Sequence, residues 1–216
     1  MLIDMHLHEK LFSKDSLISV DDIIIEAKRK GLDAICITDH DNMDFYPYMD
    51  EYSKKYDIPI FLGIEMFTDH GDITAWAKDL YKHQFRLKCD AFDFVDLVDS
   101  LGGFTVSCHP YRNNNRGLED SIREFKKLGG VEVLNGSTDK CSNLRAYDIC
   151  KECGLKTIGV SDAHVRMNIA KYVTYLPYKV KTLEDFILEL KNESRIRAAF
   201  WNGNEYIKVE SRDDVV

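Results

Sequence analysis

Seven histidines punctuate this chain, and four of them sit in short frames that also carry carboxylates: Asp4-Met5-His6-Leu7-His8, Thr38-Asp39-His40-Asp41 and Ser161-Asp162-Ala163-His164. Imidazole and carboxylate together are the donor set of a divalent-metal site. Spacing matters as much as residue type. Residues i and i+2 of a strand face the same side, so His6 and His8 can aim at one ion if Leu2 to His8 is extended, and Asp162 and His164 share that geometry. His83, in Tyr81-Lys82-His83-Gln84, has no acidic frame around it and reads as an ordinary surface or packed side chain.

Such groups need elements that bring them together. Short apolar runs at Leu2–Leu7, Ala34–Thr38, Ile60–Ile64, Ile73–Ala77, Phe104–Cys108, Val131–Leu134 and Thr157–Val160 predict strands. Helical patterns separate most of them. Val20, Ile23, Ile24 and Ala27 follow the i, i+3, i+4, i+7 rule behind a Ser19/Asp22 capping pair, with Gly31 just past the end. Thr182 and Asp185 repeat that pattern before Leu183, Phe186, Ile187 and Leu190; Ile122, Phe125 and Leu128 predict a helix ending at Gly129-Gly130; and further helices are expected over 45–56, 90–101 and 142–153. Phe45 to Tyr56 should turn an aromatic face onto the strands. Arg197–Phe200 and Tyr206–Val209 around Asn202-Gly203-Asn204 predict a hairpin, and Ser211–Val216 a frayed tail.

Strands alternating with helices imply parallel pairing, and about seven such units in one domain spanning 1–216 predict an α/β fold, a closed or nearly closed barrel rather than an open sheet. In such a barrel the loops at the carboxyl ends of the strands converge on one mouth. The candidate ligands obey that rule: His8, Asp39 and His40, Glu65 in Gly63-Ile64-Glu65, His109 in Ser107-Cys108-His109-Pro110, and Asp162 with His164 all fall at or just beyond expected strand ends. Asp15, in the loop after the first strand, can reach the same rim.

Composition narrows the partners. Lys plus Arg is 29 against 37 Asp plus Glu, a net charge of −8, which argues against stable nucleic-acid binding or an anionic membrane surface. The only basic clusters, Lys28-Arg29-Lys30 and Lys126-Lys127, fall on expected helix faces or ends. The N-terminus has neither a basic start nor a long apolar run, and no segment approaches roughly 18 consecutive apolar residues, so a soluble, cytoplasmic protein is expected. Its six cysteines are then free thiols, and Cys150-x-x-Cys153 is helix packing, since no second pair completes a four-ligand site.

The ordered set Asp4-Met5-His6-Leu7-His8, Gly31-Leu32-Asp33-Ala34-Ile35, Thr38-Asp39-His40-Asp41, Gly63-Ile64-Glu65, Cys108-His109-Pro110-Tyr111-Arg112 and Ser161-Asp162-Ala163-His164 resembles the PHP superfamily, named for polymerase and histidinol phosphatase. The resemblance spans residues 2 to about 175. It implies a distorted seven-stranded barrel carrying two or three divalent ions of manganese, iron or zinc. By position, one ion would be held by His6, His8, Glu65 and Asp162, a second bridged by Glu65 and held by His109, and a third held by Asp15, His40 and His164. The loop from His8 to Asp15 is longer than the family's commonest spacing. Where many members place a further histidine after the bridging glutamate, this chain offers Asp72 or His70.

Three carboxylates, from Asp15, Glu65 and Asp162, would offset at most three of the six positive charges of three divalent ions, leaving a cationic mouth suited to a phosphate dianion. A metal-activated hydroxide is then a nucleophile at neutral pH, and phosphoester hydrolysis is the natural reaction. Arg112 adds a forked phosphate contact, Asn135 a hydrogen bond to substrate from the neighbouring strand, and Asp39 and Asp41 can orient His40 or its neighbours from behind rather than bind metal. The expected enzyme is a phosphatase or phosphoesterase for a small phosphorylated metabolite or nucleotide, histidinol phosphate being one such substrate. A nuclease or exonuclease would share the metals but need a basic track for the polymer, and a non-catalytic metal-bound scaffold would not need so complete a ligand set.

Overall fold

Asp4, fully buried on the first strand, ties together chain segments from both halves of this fold. In the computed structural model, which describes residues 1–216, its Oδ1 accepts the backbone N–H of Ser161 at 3.0 Å and of His6 at 3.4 Å, and its Oδ2 accepts that of Ala170 at 3.0 Å. These segments belong to different sheets. In chain order the elements are β1 (Leu2–Asp4), α1 (Val20–Arg29), β2 (Ala34–Ile37), α2 (Tyr46–Tyr56), β3 (Ile60–Leu62), β4 (Ile64–Phe67) and β5 (Asp72–Trp76). There follow α3 (Ala91–Ser100), β6 (Phe104–Ser107), β7 (Gly130–Asn135), α4 (Lys140–Glu152), β8 (Lys156–Val160), β9 (Tyr172–Tyr175), α5 (Leu183–Asn192), β10 (Arg197–Trp201) and β11 (Tyr206–Lys208).

The strands form two sheets rather than the closed barrel expected from the sequence: one ordered β11-β10-β9-β1-β2-β3 and one ordered β4-β5-β6-β7-β8. Pairing is parallel in β1–β2, β2–β3, β6–β7 and β7–β8. It is antiparallel for β10–β11, the hairpin expected from the sequence, and also for β4–β5, β5–β6, β1–β9 and β9–β10, which corrects the expectation of parallel pairing among the other strands. The reason is local for β4 and β5, which are joined by a tight Thr68–Gly71 turn with no helix to carry the chain back.

The chain crosses from the first sheet to the second at Gly63, where a Cβ would lie 2.5 Å from the Trp76 indole nitrogen; only glycine allows β3 to run into β4 this close to β5. At the seams the ladders shrink to isolated bridges, Leu7 with Ala163 and His40 with Glu65. Thr174 helps close the far seam through its side chain, whose Oγ1 accepts from Gly159 N–H at 3.2 Å and donates to the Gly159 carbonyl at 2.9 Å. The candidate ligands therefore sit where the two sheets meet.

The helices capped by Ser19 and Thr182 form as expected, each cap accepting the N–H of Asp22 or Asp185, and Asp90 and Asp139 cap α3 and α4 in the same way. In α2 the aromatic face is only partly covered; Phe45, at its N-cap, is the buried ring. The helix expected through Ile122, Phe125 and Leu128 is instead a short 3-10 turn over Glu119–Glu124, after which Phe125 is extended; the three side chains are buried all the same, so packing survives the change of backbone. Nor is the C-terminus frayed. Ser211 and Asp214 make a capping box, Arg212 forks onto Asp148, and Val215 is fully buried, anchoring the last residues by apolar contact that the polar sequence around it conceals. No disulfide forms: Cys150 is buried and Cys153 half-buried, in keeping with helix packing. No helix is long and apolar enough to cross a membrane.

Removing the Asp4 carboxylate should weaken this junction. Asp4→Ala would leave at least the Ser161 and Ala170 N–H groups buried without acceptors, and is expected to cost about 2–5 kcal/mol in urea-unfolding experiments on the metal-free protein. A loss under about 1 kcal/mol would show that the sheets are held together without it.

Candidate metal centre

Glu65 is the centre of the cluster. It lies in β4, 1 % exposed, and its two oxygens face opposite ways. Oε2 is 3.2 Å from His6 Nε2, 3.2 Å from His8 Nε2 and 2.8 Å from His40 Nδ1, while Oε1 is 3.1 Å from His109 Nε2. Asp162 approaches from the end of β8, its Oδ1 3.4 Å from His8 Nε2, 3.6 Å from His164 Nδ1 and 3.8 Å from His6 Nε2. Asp15 closes the outer side, its Oδ2 3.1 Å from His40 Nε2 and 3.4 Å from His164 Nε2. All eight residues expected from the sequence thus meet in one cluster; six of them, Asp15, His40, Glu65, His109, Asp162 and His164, line a cavity of about 190 Å³ with no apolar side chain in its lining, and His6 and His8 lie buried behind it. A larger cleft of about 500 Å³, beside Asp41, Tyr46 and Tyr81, contains none of the metal-ligating clusters.

Their donor atoms fall into overlapping groups: His6, His8 and Asp162; Glu65, Asp72 and His109; and His8, His40 and His164. Asp72, at the start of β5, is therefore part of the cluster, with Oδ2 3.6 Å from His109 Nε2. His70 is not. It is directed away, its Nδ1 2.8 Å from Asp69 and its ring edge-on to Phe92 and Phe125. His83 is exposed and outside the cavity, as its sequence context suggests.

Behind the ligands lies a carboxylate that sequence reading passed over. Glu132, in β7, is 1 % exposed; its Oε1 accepts from His6 Nδ1 at 2.7 Å, and its Oε2 accepts from the His109 backbone N–H and from Asn135 Nδ2, each at 2.8 Å. The signal was present: an acid inside Val131-Glu132-Val133-Leu134, a run otherwise fit for a core strand, needs a buried partner. Asn135, expected to touch substrate, is fully buried with its amide engaged by the protein. Its Nδ2 donates to Glu132 and Asp162, and its Oδ1 accepts from Arg112, Ser137 and Thr138. Asp39 accepts from Ser13 Oγ, which lies 3.3 Å from His8 Nδ1 and accepts the His40 N–H at 3.2 Å, while Asp41 accepts the Phe67 N–H.

Arg112 reaches Asp162 Oδ2, Asn135 Oδ1 at 2.6 Å and Thr138 Oγ1 at 3.0 Å through Nη2 and Nε, which leaves Nη1 with no protein hydrogen bond. Several of these side chains rest on left-handed backbone, with φ of 58° at Asp41, 28° at His109 and 49° at Asp162. Such conformations are costly for a residue with a Cβ and cluster at functional sites.

The electrostatics of the cluster favour added positive charge. Burial opposes ionisation of Glu65 and Asp162, yet the surrounding histidines, with Arg112 beside Asp162, hold both carboxyls well below their usual range. Burial likewise opposes charge on His6 and His40, but Glu65, Glu132 and Asp162 raise His6 well above its ordinary value, and Glu65 with Asp15 lifts His40 to about 9. Asp72 is pushed up to about 6 by burial and by Glu65. The donor atoms also fit a cation: Glu65 Oε2 and His40 Nδ1 are buried without a protein hydrogen bond, and His6 Nε2 faces His8 Nε2 at 3.0 Å. Lone pairs converging in this way are what a divalent ion satisfies.

The PHP domain model matches residues 4–137, and a PHP-associated model matches residues 141–194, the segment that supplies most of α4 together with β8, β9 and α5. An uncharacterised protein of Methanocaldococcus jannaschii is 27% identical over 145 residues, which cover 62% of this chain and 82% of that protein. A PolC-type DNA polymerase III of Thermotoga maritima is 32% identical over 134 residues, again 62% of this chain but only 8% of the polymerase. Among solved structures, a two-domain protein of Bacteroides vulgatus, described as containing a predicted PHP-like metal-dependent phosphoesterase, superposes with a TM-score of 0.74 at 22% identity. That match covers 93% of this chain and 64% of the other. A protein of Bifidobacterium adolescentis described as a metal-dependent phosphoesterase gives a TM-score of 0.60 at 17% identity, covering 76% of this chain and 88% of that one.

Proposed function

This chain belongs to the PHP domain family, and on that footing we propose that it is a metal-dependent phosphoesterase that hydrolyses a small phosphorylated metabolite or nucleotide. The observation that carries the reading is the double-facing Glu65 carboxylate, set among four imidazoles in a polar cavity that also holds Arg112. In this reading residues 1–216 act as one unit. His6, His8, Glu65 and Asp162 hold one manganese, iron or zinc ion, Glu65 with His109 and Asp72 a second, and Asp15, His40 and His164 a third. Bound ions supply the Lewis acidity that polarises a phosphoryl oxygen and lowers the pKa of water toward neutrality.

The chain's own groups do the rest. Arg112 directs its free Nη1 at the phosphoryl group while Asn135 and Thr138 fix the plane of the guanidinium. Glu132 keeps the proton of His6 on Nδ1, so that Nε2 is the ligating atom. Small substrates are favoured over a polymer because the basic clusters are engaged elsewhere. Lys28 donates to the Tyr56 carbonyl, Arg29 pairs with Glu26, Lys30 donates to the Ile169 carbonyl, and Lys127 pairs with Asp96 and Asp99.

Metal analysis of the purified protein, paired with a phosphate-release screen over sugar phosphates, mononucleotides, histidinol phosphate and oligonucleotides, tests the proposal. Fewer than two bound ions per chain, or no turnover of any ester, would defeat it, and preferential cleavage of oligonucleotides would replace it with a nuclease. Arg112→Lys keeps the charge but loses the planar fork, and is expected to lower kcat/KM about 10- to 100-fold, about 1.4–2.7 kcal/mol, with the metal content unchanged.

A further inference from the structure

Two carboxylates of the cavity each meet an arginine from the loop after β6, but the two pairs are built differently. Asp162 gives Oδ2 to Arg112 and Asn135, and keeps Oδ1 facing the nitrogens of His6, His8 and His164. Asp72 has no such division. Arg116 Nε donates to its Oδ2 and Arg116 Nη2 to its Oδ1, both at 2.7 Å, so one guanidinium fork occupies both oxygens of a carboxylate that also lies 3.6 Å from His109.

The fork is held in place from several sides. The guanidinium carbon lies 4.3 Å above the centre of the Phe67 ring, a stacking that favours a flat cation. The Arg116 carbonyl accepts the Asp72 N–H at 2.7 Å, and its own N–H donates to Asn114 Oδ1 at 3.1 Å. Gly117 presses the next turn of the loop against Pro110, where a Cβ would lie 2.0 Å from the Pro110 carbonyl oxygen. The loop cannot carry Arg116 away from Asp72 without breaking these contacts.

We infer that Arg116 sets the affinity of the ion place formed by Glu65, Asp72 and His109, making it the weakest of the centre and the last to fill. The inference rests on the metal-centre reading above. A divalent ion using Asp72 must share both carboxylate oxygens with the fork and be tolerated beside its fixed positive charge. Competition of this kind lowers affinity roughly 10- to 100-fold. The places served by Asp162 and Asp15 are less handicapped, because Arg112 meets only Oδ2 of Asp162 and leaves Oδ1 to the imidazole nitrogens, while Asp15 pairs with His40 and His164 alone. The phosphoesterase would then gain or lose one ion in the range where the others stay bound, and its activity would follow the free divalent-ion concentration.

The test is Mn²⁺ titration of the metal-stripped full chain at pH 8, by calorimetry and by counting ions retained after gel filtration. Wild-type protein should show a tight class and a weaker one. Arg116→Met should tighten the weak class roughly 10- to 100-fold, so that one more ion is retained. Arg116→Lys, which keeps the charge and much of the stacking but cannot fork, should tighten it by less, and it serves as the second variant should Arg116→Met unfold. Asp72→Asn should weaken or abolish that class while sparing the tight one. Unchanged or weaker Mn²⁺ binding in both Arg116 variants would overturn the assignment to Arg116. If wild-type protein bound no more Mn²⁺ than Asp162→Ala, the metal reading itself would fall, and the inference with it.

Discussion

Glu65→Ala is expected to lower phosphate release by at least about 10³-fold and to reduce the number of bound ions, whereas His70→Ala leaves both within about twofold of wild type. The contrast follows from contacts. Glu65 is buried at the meeting point of His6, His8, His40 and His109, so its loss removes the one carboxylate common to two of the proposed ion places. His70 pairs with Asp69 on the surface and touches none of the cluster. Glu65→Gln, which keeps the volume and hydrogen-bonding shape but not the charge, separates ligation from packing: it should be nearly as inactive as the alanine variant while unfolding close to the wild-type temperature. Similar, near-wild-type rates for Glu65→Ala and His70→Ala would remove Glu65 from the centre and the proposed chemistry with it.

Glu132→Gln is expected to weaken metal binding and kcat/KM about 10- to 100-fold although Glu132 belongs to none of the three proposed ion places. Its two oxygens accept from three donors: His6 Nδ1, the His109 N–H and Asn135 Nδ2. Glutamine has a single acceptor oxygen. Its NH₂ group must oppose either the His6 Nδ1–H, turning that ring away from the ligating arrangement, or the His109 N–H, disturbing a residue already at positive φ. About 1–3 kcal/mol of stability should be lost as well, the cost of leaving a buried donor unpaired. A Mn²⁺ titration separates the two effects. Wild-type affinity with reduced stability would show that Glu132 only supports packing, and a wild-type value for both would show that His6 is oriented by something else.

Much of the site is legible in the amino-acid sequence. His6, His8, His40, Glu65, His109, Asp162 and His164 declare themselves because short apolar runs end in acid and imidazole, and the alternation of side chains along an extended chain gives i and i+2 a common direction. Asp15 lies in a loop, and its place beside His40 and His164 agrees with the position the family resemblance implies. Helix caps at Ser19 and Thr182 are legible for a similar reason, since each is a local hydrogen bond between residues three apart.

What the sequence hides depends on contacts between distant segments. Whether Asp72 or His70 faces the cluster is decided by the tight turn between β4 and β5, which directs Asp72 inward against His109 and Arg116 and leaves His70 outside. Glu132 looks like an anomaly in a core strand until His6, 126 residues away, is brought within 2.7 Å of it. Asn135 and Arg112 carry polar groups in either reading, but only the packed structure shows that the amide is saturated and the guanidinium is not. The closed barrel fails for the same reason: alternating strands and helices specify parallel crossovers but say nothing of the seams, where Gly63, Asp4 and Thr174 join two sheets with few ladder bonds. By itself, then, the sequence determined which residues could ligate and which ends of which strands would present them, because both are properties of local chain geometry. Tertiary structure alone decided which carboxylate is free to receive an ion and which is already held by an arginine, because that depends on side chains meeting across the seam between two sheets.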